Sequence, residues 1–155
     1  MNYKTLRLKR GKEESLDRFH PWVFSGALAE PLPEGLEEGD NVSVTASDGR
    51  CIGVGHFQIG SIAVRILDFG DTTIDTAFYT RRLEQRLALR RALGLARPDN
   101  DAYRLVHGEG DFLPGLVVDI YGPTAVLQAH SPGMHYARGL IADAIVRLPG
   151  LGVRN

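Results

Sequence analysis

Short stretches of alternating apolar and polar residues characterise the first part of the chain. Near the start, Leu6 and Leu8 alternate with polar side chains from residue 3 to residue 9, and this period of two is typical of a half-buried strand. The polar positions of this strand are basic, so the pattern places a positively charged face in solvent. Residues 20–28, which contain the bulky run Trp22 to Phe24, are expected to form a short helix.

Further strands follow at close spacing. Residues 42–44 and 51–57 lie on either side of the turn sequence 47–50 and predict a hairpin, and residues 62–67 predict another strand. Several short strands with glycine between them indicate a small β-barrel or sandwich. We assign this domain to residues 1–70.

The period of the apolar positions then changes from two to about four. Tyr79, Leu83 and Leu87 recur at helical spacing, which predicts an amphipathic helix over residues 74–95. We interpret residues 71–98 as a basic helix that links two domains. The polar side of the helix carries five arginines, Arg81, Arg82, Arg86, Arg90 and Arg91. Such a face is either solvated, as most charge runs are, or a basic surface for a partner.

The remaining residues alternate between strand-like and helix-like patterns. Strands are predicted at 102–107, 116–121 and 125–130, and one helix at 134–148. The order indicates an α+β domain over residues 99–155, with one helix on a mainly antiparallel sheet. Residues 149–155 begin an apolar element that the sequence does not complete, so we expect a truncated domain.

Composition narrows the possible classes of protein. The chain has 155 residues, 43% of them apolar, and a net charge of -1, so any attraction to nucleic acid must come from local patches. Cys51 is the single cysteine, which excludes an intrachain disulfide and a four-cysteine zinc site. No apolar run is long enough to span a bilayer. A cytoplasmic protein that does not enter membranes is expected.

Motifs for cofactor or metal binding are weak or missing. Gly53-Val54-Gly55 lies inside the predicted hairpin with no helix after it, so it does not form a dinucleotide-type loop. His107, Glu109 and Asp111 alternate and could project from one face of a strand. Side chains of these types can bind a metal ion or transfer a proton, but we favour a structural or substrate-positioning role for this trio.

Two single residues invite a functional interpretation. Cys51 has a thiol that could act as a nucleophile, but no neighbouring base is visible in the sequence, and a small buried core residue is favoured. Trp22 could stack on a nucleobase, although a core anchor is the favoured interpretation beside two other bulky residues.

Two longer segments carry a resemblance to a known family. The first consists of residues 18–26, Glu38-Gly39-Asp40-x-Val42-x-Val44 and Asp48-Gly49-x-Cys51-x-Gly53-x-Gly55. The second is Tyr103-Arg104-Leu105-Val106-His107-Gly108-Glu109-x-Asp111-x-Leu113-Pro114-Gly115-Leu116-x-Val118-Asp119-x-Tyr121. They are similar to the PUA domain and to the middle domain, respectively, of the PUA-containing ribosomal large-subunit RNA cytosine-5 methyltransferases. The family pattern has Gly where this chain has Phe19.

The resemblance implies a parent enzyme that transfers a methyl group from S-adenosylmethionine to C5 of a cytidine in large-subunit ribosomal RNA, through a covalent cysteine adduct. In the family, a C-terminal Rossmann-like domain binds this cofactor and supplies the cysteine, and nothing in this sequence corresponds to it. No catalytic, cofactor-binding or metal-binding residue is therefore assigned here, and this chain alone is expected to be inactive and to bind no cofactor.

The resemblance implies that this chain would bind RNA and form one wall of the catalytic cleft. The residues expected to contact RNA phosphates are Lys4, Arg7, Lys9, Arg10 and Arg18. A loop containing Glu109, Asp111 and Pro114 would face the missing domain. Two alternatives remain: a freestanding RNA-binding adaptor, and an oligomerisation module in which a sheet edge pairs with a second copy to form a homodimer.

Overall fold

The computed structural model describes residues 3–155, which divide into two compact units. The first unit ends at Thr73 and includes residues 131–133, and the second contains residues 74–130 and 134–155. The boundary lies close to the predicted end of the first domain at residue 70. The helix that we interpreted as a separate linker belongs to the second unit, because it packs against a strand and a helix there.

The first unit is built mainly from short strands. Its elements are β1 (Lys4–Arg7), α1 (Glu14–Asp17), β2 (Trp22–Phe24), a 3-10 turn (Ser25–Ala27), β3 (Asn41–Thr45), β4 (Cys51–Phe57) and β5 (Ile62–Asp68). They form one sheet in the order β1-β3-β4-β5-β2. Strand β1 runs parallel to β3, and the other neighbours are antiparallel.

The two edges of this sheet are joined by the segments that follow them. The amide of Ala29 donates to the carbonyl of Arg7 over 2.8 Å, and the amide of Lys9 donates to the carbonyl of Ala27 over 2.8 Å. These bonds connect the end of β1 to the turn after β2, so the sheet curls into a small barrel. Leu6 and Leu8 are 1% exposed and lie in its core, which confirms the predicted alternation of the first strand.

The prediction of a helix at residues 20–28 is wrong. Residues 22–24 form the edge strand β2, in which Val23 pairs with Val64 of β5 and is buried. Trp22 is half-buried and Phe24 exposed, because side chains alternate along a strand and both lie on the face opposite Val23. The core position of this segment therefore belongs to Val23 and not, as favoured from the sequence, to Trp22.

The Gly53-x-Gly55 sequence serves the close approach of β4 to β5. A Cβ atom on Gly55 would lie 2.2 Å from the carbonyl oxygen of Arg65, and one on Gly53 would lie 2.4 Å from that of Asp68. The strand pairing also shifts register between Val54 and Gly55. Only glycine allows the two backbones to come this close.

Cys51 is exposed, so the expectation of a buried core residue is wrong. It is the first residue of β4 and lies opposite Thr45, next to a register shift in β3. The inward position at this end of the strand is taken by Ile52, which is 6% exposed and belongs to the core.

The second unit combines three strands with helices. Its elements are α2 (Thr76–Ala92), β6 (Ala102–His107), a 3-10 turn (Gly108–Asp111), β7 (Leu116–Tyr121), β8 (Thr124–Ala129), α3 (Pro132–Tyr136) and α4 (Arg138–Val146). The strands form an antiparallel sheet in the order β6-β7-β8, and α2 packs against α4 and β6. This confirms the predicted α+β class.

The single helix expected at residues 134–148 is divided into α3 and α4. It begins two residues earlier, at Pro132, whose fixed φ suits the first turn of a helix. Ala137 separates the two helices, with Gly133 and Gly139 close on either side. A glycine inside a helix costs about 1 kcal/mol relative to alanine, so Gly133 in α3 and Gly139 in α4 lower the helix propensity of this segment. Within residues 3–155, no helix is long and apolar enough to cross a membrane.

Phe19 adopts a backbone conformation that favours glycine. Its φ is 62°, its side chain is 65% exposed, and its ring meets the ring of Phe69 edge-on at 5.2 Å between centroids. Both Phe19→Ala and Phe19→Gly lose the ring contact, but only glycine relieves the left-handed strain. We expect the Gly variant to be more stable than the Ala variant by about 1 kcal/mol in urea unfolding. Equal stabilities would mean that no strain is stored at this position.

Candidate nucleic-acid interface

The five basic residues expected to contact RNA differ in how their charges are compensated. The ammonium group of Lys4 lies 3.0 Å from Oδ2 of Asp40 and also donates to the carbonyl of Gly35. The backbone amide of Glu37 and then the Lys4 ammonium lower the pKa of the Asp40 carboxyl below its usual value. Lys4 is therefore partly exposed but paired with a carboxylate, which reduces its attraction for a phosphate.

Arg18 is likewise paired, whereas three cations on or just after β1 are not. The guanidinium of Arg18 contacts Glu14 one helical turn away, and both side chains are exposed. Lys9 donates to the uncharged carbonyl of Gly26 over 3.0 Å. Among the described residues, no carboxylate forms an ion pair with Arg7, Lys9 or Arg10. These three exposed cations carry the uncompensated positive charge of the predicted set.

A row of aromatic rings lies along and before β2. The rings of His20 and Trp22 meet edge-on at 5.4 Å, and those of Trp22 and Phe24 at 6.4 Å. Phe24 is 49% exposed, so this row presents apolar ring surface to solvent. Exposed aromatic surface and unpaired cations, both of which this unit has, are the features that proteins use to bind single-stranded nucleic acids.

The loop expected to face a catalytic cleft is anchored from within. Asp111 is 3% exposed, and its carboxylate contacts the guanidinium of Arg90, lies 3.6 Å from Nη1 of Arg86 and accepts the backbone amide of His107 over 2.6 Å. Pro114 is buried, and Glu109 is exposed. Asp111 and Pro114 thus hold the loop in place, and Glu109 is the member of the predicted set that a partner can reach.

The same network changes the interpretation of the basic helix. Arg86 and Arg90 have 15% and 11% of their side chains exposed, because their positions on α2 face the loop and strand β6. Nε of Arg90 donates to the carbonyl of Arg104 over 2.8 Å. Arg81 and Arg91 are exposed. The arginines therefore form neither one solvated face nor one basic surface.

His107, Glu109 and Asp111 do not share a face. The chain leaves β6 at His107 and enters a 3-10 turn. As a result, His107 and Glu109 are exposed to solvent and Asp111 is buried. Within residues 3–155, no three histidine, cysteine, aspartate or glutamate side chains are grouped so as to hold a metal ion. The trio has a structural role through Asp111.

His56 is a buried titratable residue in the first unit. It lies on β4 opposite Arg65, is 4% exposed, and its Nδ1 has no hydrogen-bond partner among the described residues. Burial lowers its pKa from 6.5 to about 4. The folded protein therefore keeps this ring uncharged where an unfolded chain would protonate it.

We expect the first unit to lose about 2 kcal/mol of stability through His56 as the pH falls from about 7 to about 5. The unfolded chain binds a proton below its higher pKa and the folded form does not, so the stabilisation is complete above that pKa and decreases below it. Urea unfolding of the wild type and of His56→Gln at both pH values checks this. The other titrating groups are common to both proteins, so parallel pH profiles would contradict the prediction.

Comparisons with known proteins agree with this architecture. Residues 6–69 match the family model of the PUA-like domain. The chain is 40% identical over 147 residues to ribosomal RNA large subunit methyltransferase I of Salmonella arizonae, and 40% identical over 146 residues to the protein of that name from Escherichia coli O1:K1. These alignments cover 93% and 92% of this chain. The chain spans 36% of the length of these relatives.

Solved structures share the fold at low sequence identity. A chain described as a SAM-dependent methyltransferase from Streptococcus mutans superimposes with a TM-score of 0.77 at 15% identity, covering 94% of this chain and 38% of that one. A methyltransferase complexed with SAH gives a TM-score of 0.75 at 15% identity, covering 96% and 37%. At this identity the likeness concerns the fold alone. By the sequence matches, the chain is homologous to the PUA-containing N-terminal part of ribosomal RNA large subunit methyltransferase I.

Proposed function

We propose that this chain is the RNA-binding part of an enzyme that methylates C5 of a cytidine in large-subunit ribosomal RNA. The observation that carries the proposal is the 40% identity to ribosomal RNA large subunit methyltransferase I over nearly the whole chain. The uncompensated cations Arg7, Lys9 and Arg10 in the PUA-like unit support it, because phosphate contacts need basic groups that are not already paired. A cytoplasmic location follows from such a substrate.

Within this proposal, the chain binds RNA and takes no part in bond making. S-adenosylmethionine would be bound by the part of the enzyme that corresponds to the remaining length of the relatives. Cys51 does not suit the role of nucleophile, because partial desolvation of the thiol and then the nearby Asp71 raise its pKa. A nucleophilic cysteine needs the opposite shift, since the thiolate is the reactive form.

The proposal predicts that RNA binding depends on the unpaired cations of the first unit. Arg7→Gln and Arg10→Gln should each weaken binding to a large-subunit ribosomal RNA fragment and lower the steepness of its salt dependence by roughly one unit. Both side chains are exposed, so the thermal unfolding temperature should not change. Fluorescence anisotropy over a series of salt concentrations measures both effects.

Arg50→Gln is the matched control for these variants. Arg50 lies in the same unit and carries the same charge, but its guanidinium is 3.0 Å from a carboxylate oxygen of Asp17. Its loss should change RNA affinity and salt dependence much less than the loss of Arg7 or Arg10. If all three variants weaken binding equally, net charge and not this patch governs the interaction.

A further inference from the structure

The second unit contains an open pocket of about 350 Å³. Its lining includes the apolar side chains of Leu87, Ile120 and Leu151. It also includes the polar groups of Arg91, Arg97 and Tyr103. A volume of this size lies within the range of small-molecule sites, in which apolar walls and a few polar groups orient a ligand.

Arg91 brings to this pocket a positive charge that is not held in an ion pair. Its Nη2 donates to the carbonyl of Gly150 over 3.0 Å, and no carboxylate of the described residues forms an ion pair with it. A side chain on Gly150 would displace the guanidinium, since a Cβ there would lie 2.7 Å from Nη2. The guanidinium is thus placed by a neutral acceptor and keeps N–H donors for an anion.

The other polar groups fit a ligand with several hydrogen-bonding sites. Burial raises the pKa of Tyr103, against a smaller opposite effect of the Arg91 charge, so the phenol is a neutral donor. Arg97 shares its charge with Asp99, at 3.1 Å between Nε and Oδ1. Asp101 also lines the pocket and can accept hydrogen bonds from hydroxyl or amino groups.

We propose that this pocket binds a single nucleotide of RNA, with the base against the apolar side chains of the lining and the phosphate at Arg91. A simple anion would leave the apolar lining uncovered, and an apolar molecule would desolvate an arginine that is in no ion pair. A nucleotide matches both the apolar and the polar residues of the lining, and its ribose hydroxyls and base amino groups are suitable donors for Asp101. The inference rests on the proposed RNA-binding function, and it adds a contact in the second unit to those in the first.

The direct test uses free nucleotides and the complete chain. In heteronuclear NMR titrations, UMP and AMP should shift the amide signals of the pocket residues, with dissociation constants on the order of millimolar. Inorganic phosphate and uridine, which each match one half of the site, should bind about tenfold more weakly. Phosphate binding as tightly as UMP and AMP would overturn the inference in favour of a plain anion site, and the absence of shifts would overturn it outright.

Variants identify the groups that bind. Arg91→Gln should weaken UMP binding about tenfold, because it removes a charge-assisted contact to phosphate. Arg81→Gln is the matched control, since Arg81 is exposed on the same helix and does not line the pocket. Thermal unfolding of Arg91→Gln shows whether the lost bond to Gly150 disturbs the unit. Tyr103→Phe keeps the ring and removes only the hydroxyl, so a weaker affinity in a protein with unchanged unfolding supports the assignment a second time.

Binding measurements with RNA distinguish a failure of the pocket inference from a failure of the proposed function. With a single-stranded RNA of about ten nucleotides, Arg91→Gln should weaken binding by several fold, independently of Arg7→Gln. RNA binding that depends on Arg7 but not on Arg91 would overturn the pocket and leave the function standing. Mononucleotide binding that depends on Arg91, in a chain with no affinity for RNA, would overturn the function and support the pocket as a nucleotide site.

Discussion

Replacing Asp111 by Asn is expected to lower the free energy of unfolding of the second unit by about 4 kcal/mol. Asn has nearly the same shape and can still accept the amide of His107, but it removes the negative charge. Arg90 and Arg86 would then be left as cations with little access to water and no counter-ion. Removing one partner of a buried pair costs far more than the pair contributes, because the remaining charge stays desolvated.

Asp99→Asn provides a control with the same chemistry at the surface. Asp99 pairs with Arg97. The side chain of Asp99 is 74% exposed, and that of Arg97 is 54% exposed. The loss of such a pair changes stability by less than about 1 kcal/mol. Urea unfolding followed by circular dichroism compares the two variants. Similar losses for both would show that burial does not strengthen the dependence of Arg90 on Asp111.

Loss of the Asp111 charge should also release the loop that follows β6. The ion pairs of the carboxylate with Arg90 and Arg86 tie the turn to α2, and Phe112 at the end of the turn is 47% exposed and has a φ of 58°. Non-glycine residues keep such a conformation only where the surroundings impose it. Amide hydrogen exchange at residues 107–113 should therefore become faster in Asp111→Asn than in Asp99→Asn.

Gly55→Ala should destabilise the first unit by at least about 3 kcal/mol. The added Cβ would lie 2.2 Å from the carbonyl oxygen of Arg65 and 2.8 Å from its carbon. Both are backbone atoms of the neighbouring strand, so no side-chain rotation can relieve the contact. The strands β4 and β5 would have to separate at the centre of the sheet.

Gly26→Ala shows what the same substitution does where there is room. No heavy atom lies within 4 Å of the position a Cβ would take on Gly26, and its φ is not in the left-handed region. Its stability should therefore stay within about 0.5 kcal/mol of the wild type. Chemical unfolding of both variants measures the difference. A Gly55→Ala protein as stable as Gly26→Ala would mean that β4 and β5 can separate at little cost.

Local patterns predicted the regular strands well, because each depends on a contrast between neighbouring residues. Leu6 and Leu8 are buried as their alternation predicts, and the hairpin of β3 and β4 and the three strands of the second unit begin and end within one residue of the predicted bounds. The segment at residues 20–28 failed because three bulky residues in succession suit a buried helix as well as a strand. Its pairing with β5, a segment far along the chain, decides the outcome.

The candidate sites depended on partners that no local pattern reveals. Asp111 resembles an exposed loop residue in the sequence, and only the arrival of Arg86 and Arg90 from α2 explains its burial. The pocket beside Arg91 is assembled from a helix, a loop, two strands and residues near the end of the chain. An arginine on a helix gives no sign in the sequence of whether a carboxylate will reach it.

The position of Cys51 has a practical consequence for measuring these interactions. It is the single cysteine of the chain and is exposed at the start of β4, so a maleimide fluorophore or spin label would attach at one defined place in the first unit without any substitution. Its raised pKa means that labelling will be faster in mildly alkaline buffer, where more of the thiol is ionised. A label there would report distances to RNA carrying a second label.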